Sequence, residues 1–152
     1  MKPETLATLA ALHALCFIDT PRPWSAAEFE GLLAQPETFL EAHDDGFAVG
    51  RVAGPEAELL TLAVHPEARR LGVGRILLAR FEARAARDGA TETLLEVAET
   101  NTAARRLYAG AGYGVAGRRP GYYRPASGPA IDGLILRRHL PSSMIRARPE
   151  TD

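Results

Sequence analysis

Lysine is almost absent from this chain of 152 residues: Lys2 stands alone among 18 lysines and arginines. Against those 18 stand 19 acidic residues, giving a formal net charge of −1. No overall basic field therefore advertises nucleic acid or an anionic membrane, and neither is expected as a partner. Cysteine is reduced to Cys16, which excludes an intramolecular disulfide and any multi-cysteine zinc site. His13, His43, His65 and His139 are dispersed without ligand spacing, so no metal is expected. No apolar run approaches the roughly 18–20 residues of a membrane span. The opening "MKPETLATLAALHALCF" carries an acidic residue and apolar residues at helical spacing; it reads as a folded helix, not a signal peptide. A cytoplasmic protein is the expectation.

What is present is an ordinary globular composition, 46% hydrophobic and 24% charged, at a length suited to one domain with a real core. That domain is expected over residues 1–140. The segment 141–152, "PSSMIRARPETD", has no period and is expected to fray.

Leu6, Leu9, Leu12 and Leu15 predict a helix from Thr5 to Phe17, which the prolines of "DTPRPW" end. Ser25, with Glu28 three residues on, forms a capping box for a second helix. Strand, tight turn and strand are expected over Thr38 to Ala53, then a strand ending at Val64. Val73, Leu77, Phe81 and Ala85 make one apolar helical stripe. "TLLEV" is a short buried strand, Asn101 to Ala111 a further helix, and "YGVAG" and "IDGLILRR" two last strands around an irregular "RRPGYYRPASGPA". The order predicts an α/β (α+β) fold: a mixed, mostly antiparallel central sheet of about six strands with helices on both faces.

Two segments carry chemistry. "RRLGVG" opens the helix after Val64 without a Ser, Thr or Asp cap. It lacks the Gly-Lys-Ser/Thr of a Walker loop and the third glycine of a dinucleotide fingerprint. Unpaired backbone N–H groups, glycines at 72 and 74, the helix dipole and Arg69, Arg70 and Arg75 together suit a phosphate or pyrophosphate. A plain turn with solvated arginines is the competing interpretation.

The second is "LEVAETNTAARRLYAGAGY". Asn101 and Tyr108 share one helix face, about 10 Å apart along the axis. Glu96 points away from buried Leu95 and Val97, so a carboxylate, a carboxamide and a phenol can converge. Each also has a plain use: Asn101 as a helix cap, Tyr108 as core, Glu96 paired with an arginine.

Together the two segments resemble the signatures of the GNAT acetyltransferase superfamily. With "RPWS", "LTLAVHPEARR" and "GRRPGYY" the chain is similar to the RimI-like protein N-terminal alanine acetyltransferases, from about Leu15 to Arg138. The resemblance implies acetyl-coenzyme A as co-substrate. Its pyrophosphate would lie at Arg69, Gly72 and Gly74, with Arg70, Leu71, Val73 and Arg75 around them. The pantetheine arm would meet the backbone of Leu62, Ala63 and Val64 and the side chain of Asn101. Glu96 matches the family's general base and Tyr108 the group that protonates the departing thiolate. Trp24, Tyr122 and Tyr123 fall in the loops that line the acceptor groove.

Two departures stand out. Only Met1 to Pro3 is available for the family's first edge strand, which is expected to be missing. Ala98 replaces an arginine that some relatives carry after "LEV".

The implied reaction moves acetyl from acetyl-CoA to the α-amine of a protein, a ribosomal protein beginning with alanine, by an enzyme that is a monomer or weak dimer. The alternatives are acetylation of a small amine or a lysine, and a non-catalytic acetyl-CoA-binding module.

Overall fold

A computed structural model describes residues 5–17 and 22–146. Leu6–Cys16 form α1 and Ala26–Leu33 form α2. Each opens on a hydroxyl that accepts a first-turn N–H: Thr5 from Thr8, and Ser25 from Glu28, the second being the expected capping box. Leu9, Leu12 and His13 are buried on α1, whereas Leu15 is 52% exposed. A spacing of three lags behind the 3.6-residue turn, so the leucine row winds off the buried face by its fourth member. The row identifies the helix but not the face it buries.

Six strands follow: β1 (Thr38–His43), β2 (Gly46–Ala53), β3 (Glu56–Val64), β4 (Glu92–Ala98), β5 (Gly114–Tyr123) and β6 (Ile131–His139). They form one sheet in the order β1-β2-β3-β4-β6-β5, antiparallel except where β3 meets β4. Between those parallel strands runs α3 (Val73–Arg87), and α4 (Thr102–Gly110) joins β4 to β5. The predicted mixed sheet with helices on both faces is the one observed.

The sheet separates two apolar cores. On one face α3 inserts Val73, Leu77, Phe81 and Ala85, all buried as the stripe predicts, beside Leu59 and Leu95. On the other, Leu9, Phe29, Phe47 and Val49 pack beneath α1 and α2. Strand β3 serves both faces through a bulge. Gly50 pairs with Leu59 and Val49 with Thr61, leaving Leu60 without an opposite residue.

Beyond that bulge lies the feature that makes the site. The β3–β4 ladder runs from Glu56↔Glu92 to Leu59↔Leu95 and stops. Strand β3 stays paired to β2 as far as Val64, and β4 to β6 as far as Ala98. The two strands part like a wedge, each presenting an unpaired backbone edge.

Three expectations need comment. The segment Arg118–Tyr123, read as irregular, continues β5; register shifts at 115/117 and 119/123 absorb Pro120 and a left-handed Gly121 (φ 60°). Ser142–Arg146, read as tail, forms a short helix α5 whose Met144 and Ile145 pack on the core. The missing edge strand before α1 falls on Met1–Pro3, outside the described residues.

Candidate active site

The wedge floors a cleft of ≈ 90 Å³. Leu59 to Leu62 of β3 and Leu95 to Ala98 of β4 form its sides. Asn101, Ala104 and Tyr108 close it from α4, Tyr123 from β5, and His13, Phe17 and Trp24 from across the sheet. Glu96, Asn101, Tyr108, Leu62, Trp24 and Tyr123, named from sequence, thus meet in one place.

Glu96 alternates with buried Leu95 and Val97, which face α3, so its carboxylate emerges on the cleft side. Its side chain is 21% exposed, and Oε2 accepts an ion pair from Arg119 Nε at 3.1 Å. The plain use foreseen for Glu96, pairing with an arginine, therefore coexists with a place in the cleft. Burial pushes its pKa above the usual carboxylate range; Arg119 opposes that, Glu58 adds to it, and the Tyr123 hydroxyl favours the ionised form. Gly133, opposite both Ala98 and Arg119, makes the room. A Cβ there would stand 3.3 Å from Glu96 Oε1 and 3.4 Å from the Tyr122 and Tyr123 rings.

Tyr108 is 7% exposed, with its ring edge-on to Tyr113 at 5.8 Å. Burial raises its hydroxyl well above the usual phenol range, so it keeps its proton. Among the described residues no side chain or backbone group hydrogen-bonds that hydroxyl, and it lines the cleft. Tyr113 differs: its hydroxyl donates to Glu82 at 2.9 Å and meets Thr93 at 2.7 Å, while Arg138 holds Glu82 at 2.7 Å. That network lies on the α3 side and is structural.

Asn101 caps α4, its Oδ1 accepting from Ala104 N–H at 3.2 Å, and its side chain borders the cleft. Tyr122 is 52% exposed and stands edge-on to Tyr123 at 5.0 Å, with the Arg119 guanidinium 5.2 Å from its ring centre. Arg118 bridges Glu99 at 2.7 Å and Asp132 at 2.8 Å, and Asp132 accepts from Gly121 N–H at 2.8 Å. These bonds anchor the stretch of β5 that delivers Arg119 and Tyr123.

The glycine loop leads away from the cleft. After a 3-10 turn at Pro66–Ala68, Arg70 (φ 69°) and Gly72 (φ 83°) take left-handed backbone. Gly72 is the N-cap of α3 and no side chain caps the helix; the first intrahelical bond is Ile76 N–H to Gly72 C=O at 3.1 Å. The N–H groups of Val73, Gly74 and Arg75 are left without helical partners, with Leu71 beside them 73% exposed. A Cβ on Gly72 would meet nothing, so its conformation explains it. Gly74 is there for packing: a Cβ would lie 3.3 Å from Leu107 and 3.8 Å from Val64. Of the three strand residues expected to meet the pantetheine arm, Ala63 is buried beneath α1 and α2, and the Val64 carbonyl accepts from Cys16 Sγ at 3.2 Å. Their edge toward β4 is the unpaired one.

Two polar residues were not singled out from sequence: His13, which lines the cleft, and Arg119, which pairs with Glu96. His13 is 1% exposed; it lies one turn beyond Leu9, the only local sign of its burial. Arg119 sits in "RRPGYY" with no signal that separates it from its neighbour Arg118.

An acidic group and a buried phenol in one cleft between parted parallel strands, with an uncapped helix start after the same β3 strand, define a class. Residues 6–113 match the acetyltransferase (GNAT) family. The chain belongs to that family and is an acetyl-CoA-dependent N-acetyltransferase. Within it, the chain is similar to the ribosomal protein bS18-alanine N-acetyltransferase of Salmonella typhimurium, 37% identical over 128 residues, 80% of this chain and 83% of that one. The Escherichia coli protein of the same name is 32% identical over 126 residues, with the same coverage. The crystal structure of the ribosomal-protein-S18-alanine N-acetyltransferase from Escherichia coli matches with a TM-score of 0.77 at 27% identity, over 87% of this chain and 85% of that one. No helix among the described residues is long and apolar enough to cross a membrane, and no cluster among them suits a metal ion.

Proposed function

We propose that the protein acetylates the α-amino group of a protein chain, specifically that of a ribosomal protein beginning with alanine, with Glu96 as base and Tyr108 as hydrogen-bond donor to the leaving sulfur. The observation that carries this reading is the meeting of Glu96 and Tyr108 in one cleft whose far walls are Trp24 and Tyr123. The names of the similar enzymes support the acceptor.

The residues fit the co-substrate. The uncapped start of α3, with Arg69, Arg70 and Arg75 around it, suits a pyrophosphate. The unpaired edges of β3 at Leu62 to Val64 and of β4 suit an amide-bearing arm. Acetyl-coenzyme A supplies a thioester acyl group and a thiolate leaving group.

Everything else falls to the chain. Neutralising an α-ammonium of pKa near 8 costs about 1.4 kcal/mol at pH 7, against about 4.6 kcal/mol for a lysine near 10.4. A single carboxylate whose hold on a proton is strengthened by burial suits the first task. Tyr108, kept protonated, presents a donor to sulfur as charge develops there.

The test is acetylation of a peptide panel, read by mass spectrometry. It holds Ala- and Ser-starting peptides, the same peptides blocked at the N-terminus with an internal lysine, and spermidine. Acetylation confined to free N-termini is the expected result. Acetylation of lysine or spermidine instead would replace the acceptor, and binding of coenzyme A without turnover would replace catalysis.

A further inference from the structure

We propose that Arg119 is a displaceable counter-ion of Glu96: the incoming acceptor ammonium takes its place on Oε2, and the guanidinium withdraws onto the Tyr122 ring. The proposal rests on the reading of Glu96 as base.

The geometry assembles this exchange from three sides. Arg119 Nε holds Glu96 Oε2 at 3.1 Å through a side chain that is 54% exposed, so the pair is at the mouth of the cleft and not sealed within it. The same guanidinium already sits 5.2 Å from the Tyr122 ring centre. That ring offers a second station for a cation, and Tyr122 is itself half exposed. Oε1 lies toward Gly133, where a Cβ would stand 3.3 Å from it, whereas Oε2 is on the side of the half-exposed arginine. An amine coming from the open side therefore meets the oxygen that Arg119 occupies.

Arg119 differs in this from its neighbour. Arg118 is tied to two carboxylates, those of Glu99 and Asp132, and belongs to the frame of the β5 turn. Arg119 has one ion-pair partner among the described residues, and that partner is Glu96.

The charges facing Glu96 decide what the exchange does. From β3 comes Glu58, itself paired with Arg51 at 2.8 Å; from β5 come Arg119 and the Tyr123 hydroxyl; β6 sets the uncharged Ile135 opposite Glu96 and Gly133 beside it. His13, across the cleft, is neutral at pH 7. Among the described residues Arg119 is thus the one cation acting on the carboxylate, and while it stays it opposes protonation. Replacing it with the acceptor ammonium removes that opposition when the proton must move. One N–H bond of the ammonium breaks, its electron pair remains on nitrogen, and the proton passes to Glu96. An acceptor lacking a cationic amine has no means of displacing Arg119, so the pair also selects against neutral amides and hydroxyls.

The test uses the full chain as wild type, Arg119→Gln and Arg119→Lys. The Glu96 carboxyl is titrated by carbon-13 NMR, assigned with Glu96→Gln, and kcat/KM for an Ala-starting peptide is measured against pH. The proposal expects Arg119→Gln to raise the Glu96 midpoint and move the acid limb of kcat/KM to higher pH, since loss of a cation favours the protonated carboxyl. Above that limb the acceptor KM falls several-fold, because nothing competes for Oε2. Arg119→Lys keeps both the midpoint and the limb near their wild-type positions. An unchanged midpoint, or an acceptor KM that rises in Arg119→Gln, overturns the proposal alone. A raised midpoint with an unmoved acid limb overturns Glu96 as the base, and the exchange with it.

Discussion

His13 Nε2 lies 2.9 Å from Thr61 Oγ1, joining the first helix to β3 just past its bulge. Nδ1 of the same ring accepts the Trp24 N–H at 3.0 Å. The neutral ring therefore carries its hydrogen on Nε2 and donates to Thr61. Phe17 and Trp24 pack on it with ring centres at 4.3 and 5.0 Å. One imidazole thus positions three walls of the cleft.

That arrangement admits only the neutral form. Burial lowers the pKa from 6.5 to about 4, with Glu28 opposing. The unfolded chain binds the proton more readily, so the contribution is complete above about pH 6.5 and is lost as pH falls toward 4. Urea unfolding at pH 7, 5.5 and 4 should show a loss on the order of 2–3 kcal/mol from this group. His13→Gln should be less stable at pH 7 and flatten the profile over that interval. A wild-type profile equally steep in the variant would assign the acid sensitivity elsewhere.

Glu96→Gln keeps the shape of the side chain and removes its basicity. General-base groups contribute about 10²–10⁴-fold; kcat/KM for an Ala-starting peptide should fall within that range. Coenzyme A binding, followed by calorimetry, should be unchanged, because the role proposed for Glu96 is toward the acceptor amine and not toward the cofactor.

Two tyrosines on neighbouring elements should part company on losing a hydroxyl. Tyr108→Phe removes a group with no protein partner among the described residues, so the melting temperature should hold while turnover drops about 10-fold or more. Tyr113→Phe leaves Glu82 and Thr93 short of a partner in a buried network, and should cost about 1–3 kcal/mol of stability. Thermal melts and steady-state rates on both variants make the comparison. If Tyr108→Phe proved the destabilised one, its proposed role would fall.

Two glycines separate conformation from space in the same way. Gly72→Ala forces a Cβ into left-handed backbone and should destabilise by about 1–2 kcal/mol, disturbing the start of α3 and weakening coenzyme A binding. Gly133→Ala crowds Glu96 Oε1 and both groove tyrosines at 3.3–3.4 Å. It should lower acceptor turnover more than it lowers the melting temperature. Parallel denaturation and kinetic measurements distinguish the two effects.

Much of this protein follows from local pattern. Ser25 and Glu28 form the box their spacing predicts. Val73, Leu77, Phe81 and Ala85 bury together because positions near a multiple of 3.6 must share a face. Alternation sets Glu96 against Leu95 and Val97, and helical spacing puts Asn101 and Tyr108 on one side of α4. Where the pattern was weak, the sequence misled. Leu15 drifts off the row in which Leu9 and Leu12 are buried, Arg118–Tyr123 extends a strand across Pro120, and Ser142–Arg146 is a helix whose Met144 and Ile145 pack on the core.

The sequence alone determined most of the elements and their order, and singled out the candidate site residues, since these depend on backbone preferences and side-chain periods acting over a few residues. Tertiary structure decided where β3 and β4 part, that Arg119 and not Arg118 meets Glu96, and that His13 on α1 reaches Thr61 on β3. Those outcomes depend on bulges, register and packing between segments far apart in the chain. No local period encodes them; they arise when the two cores close on opposite faces of the sheet.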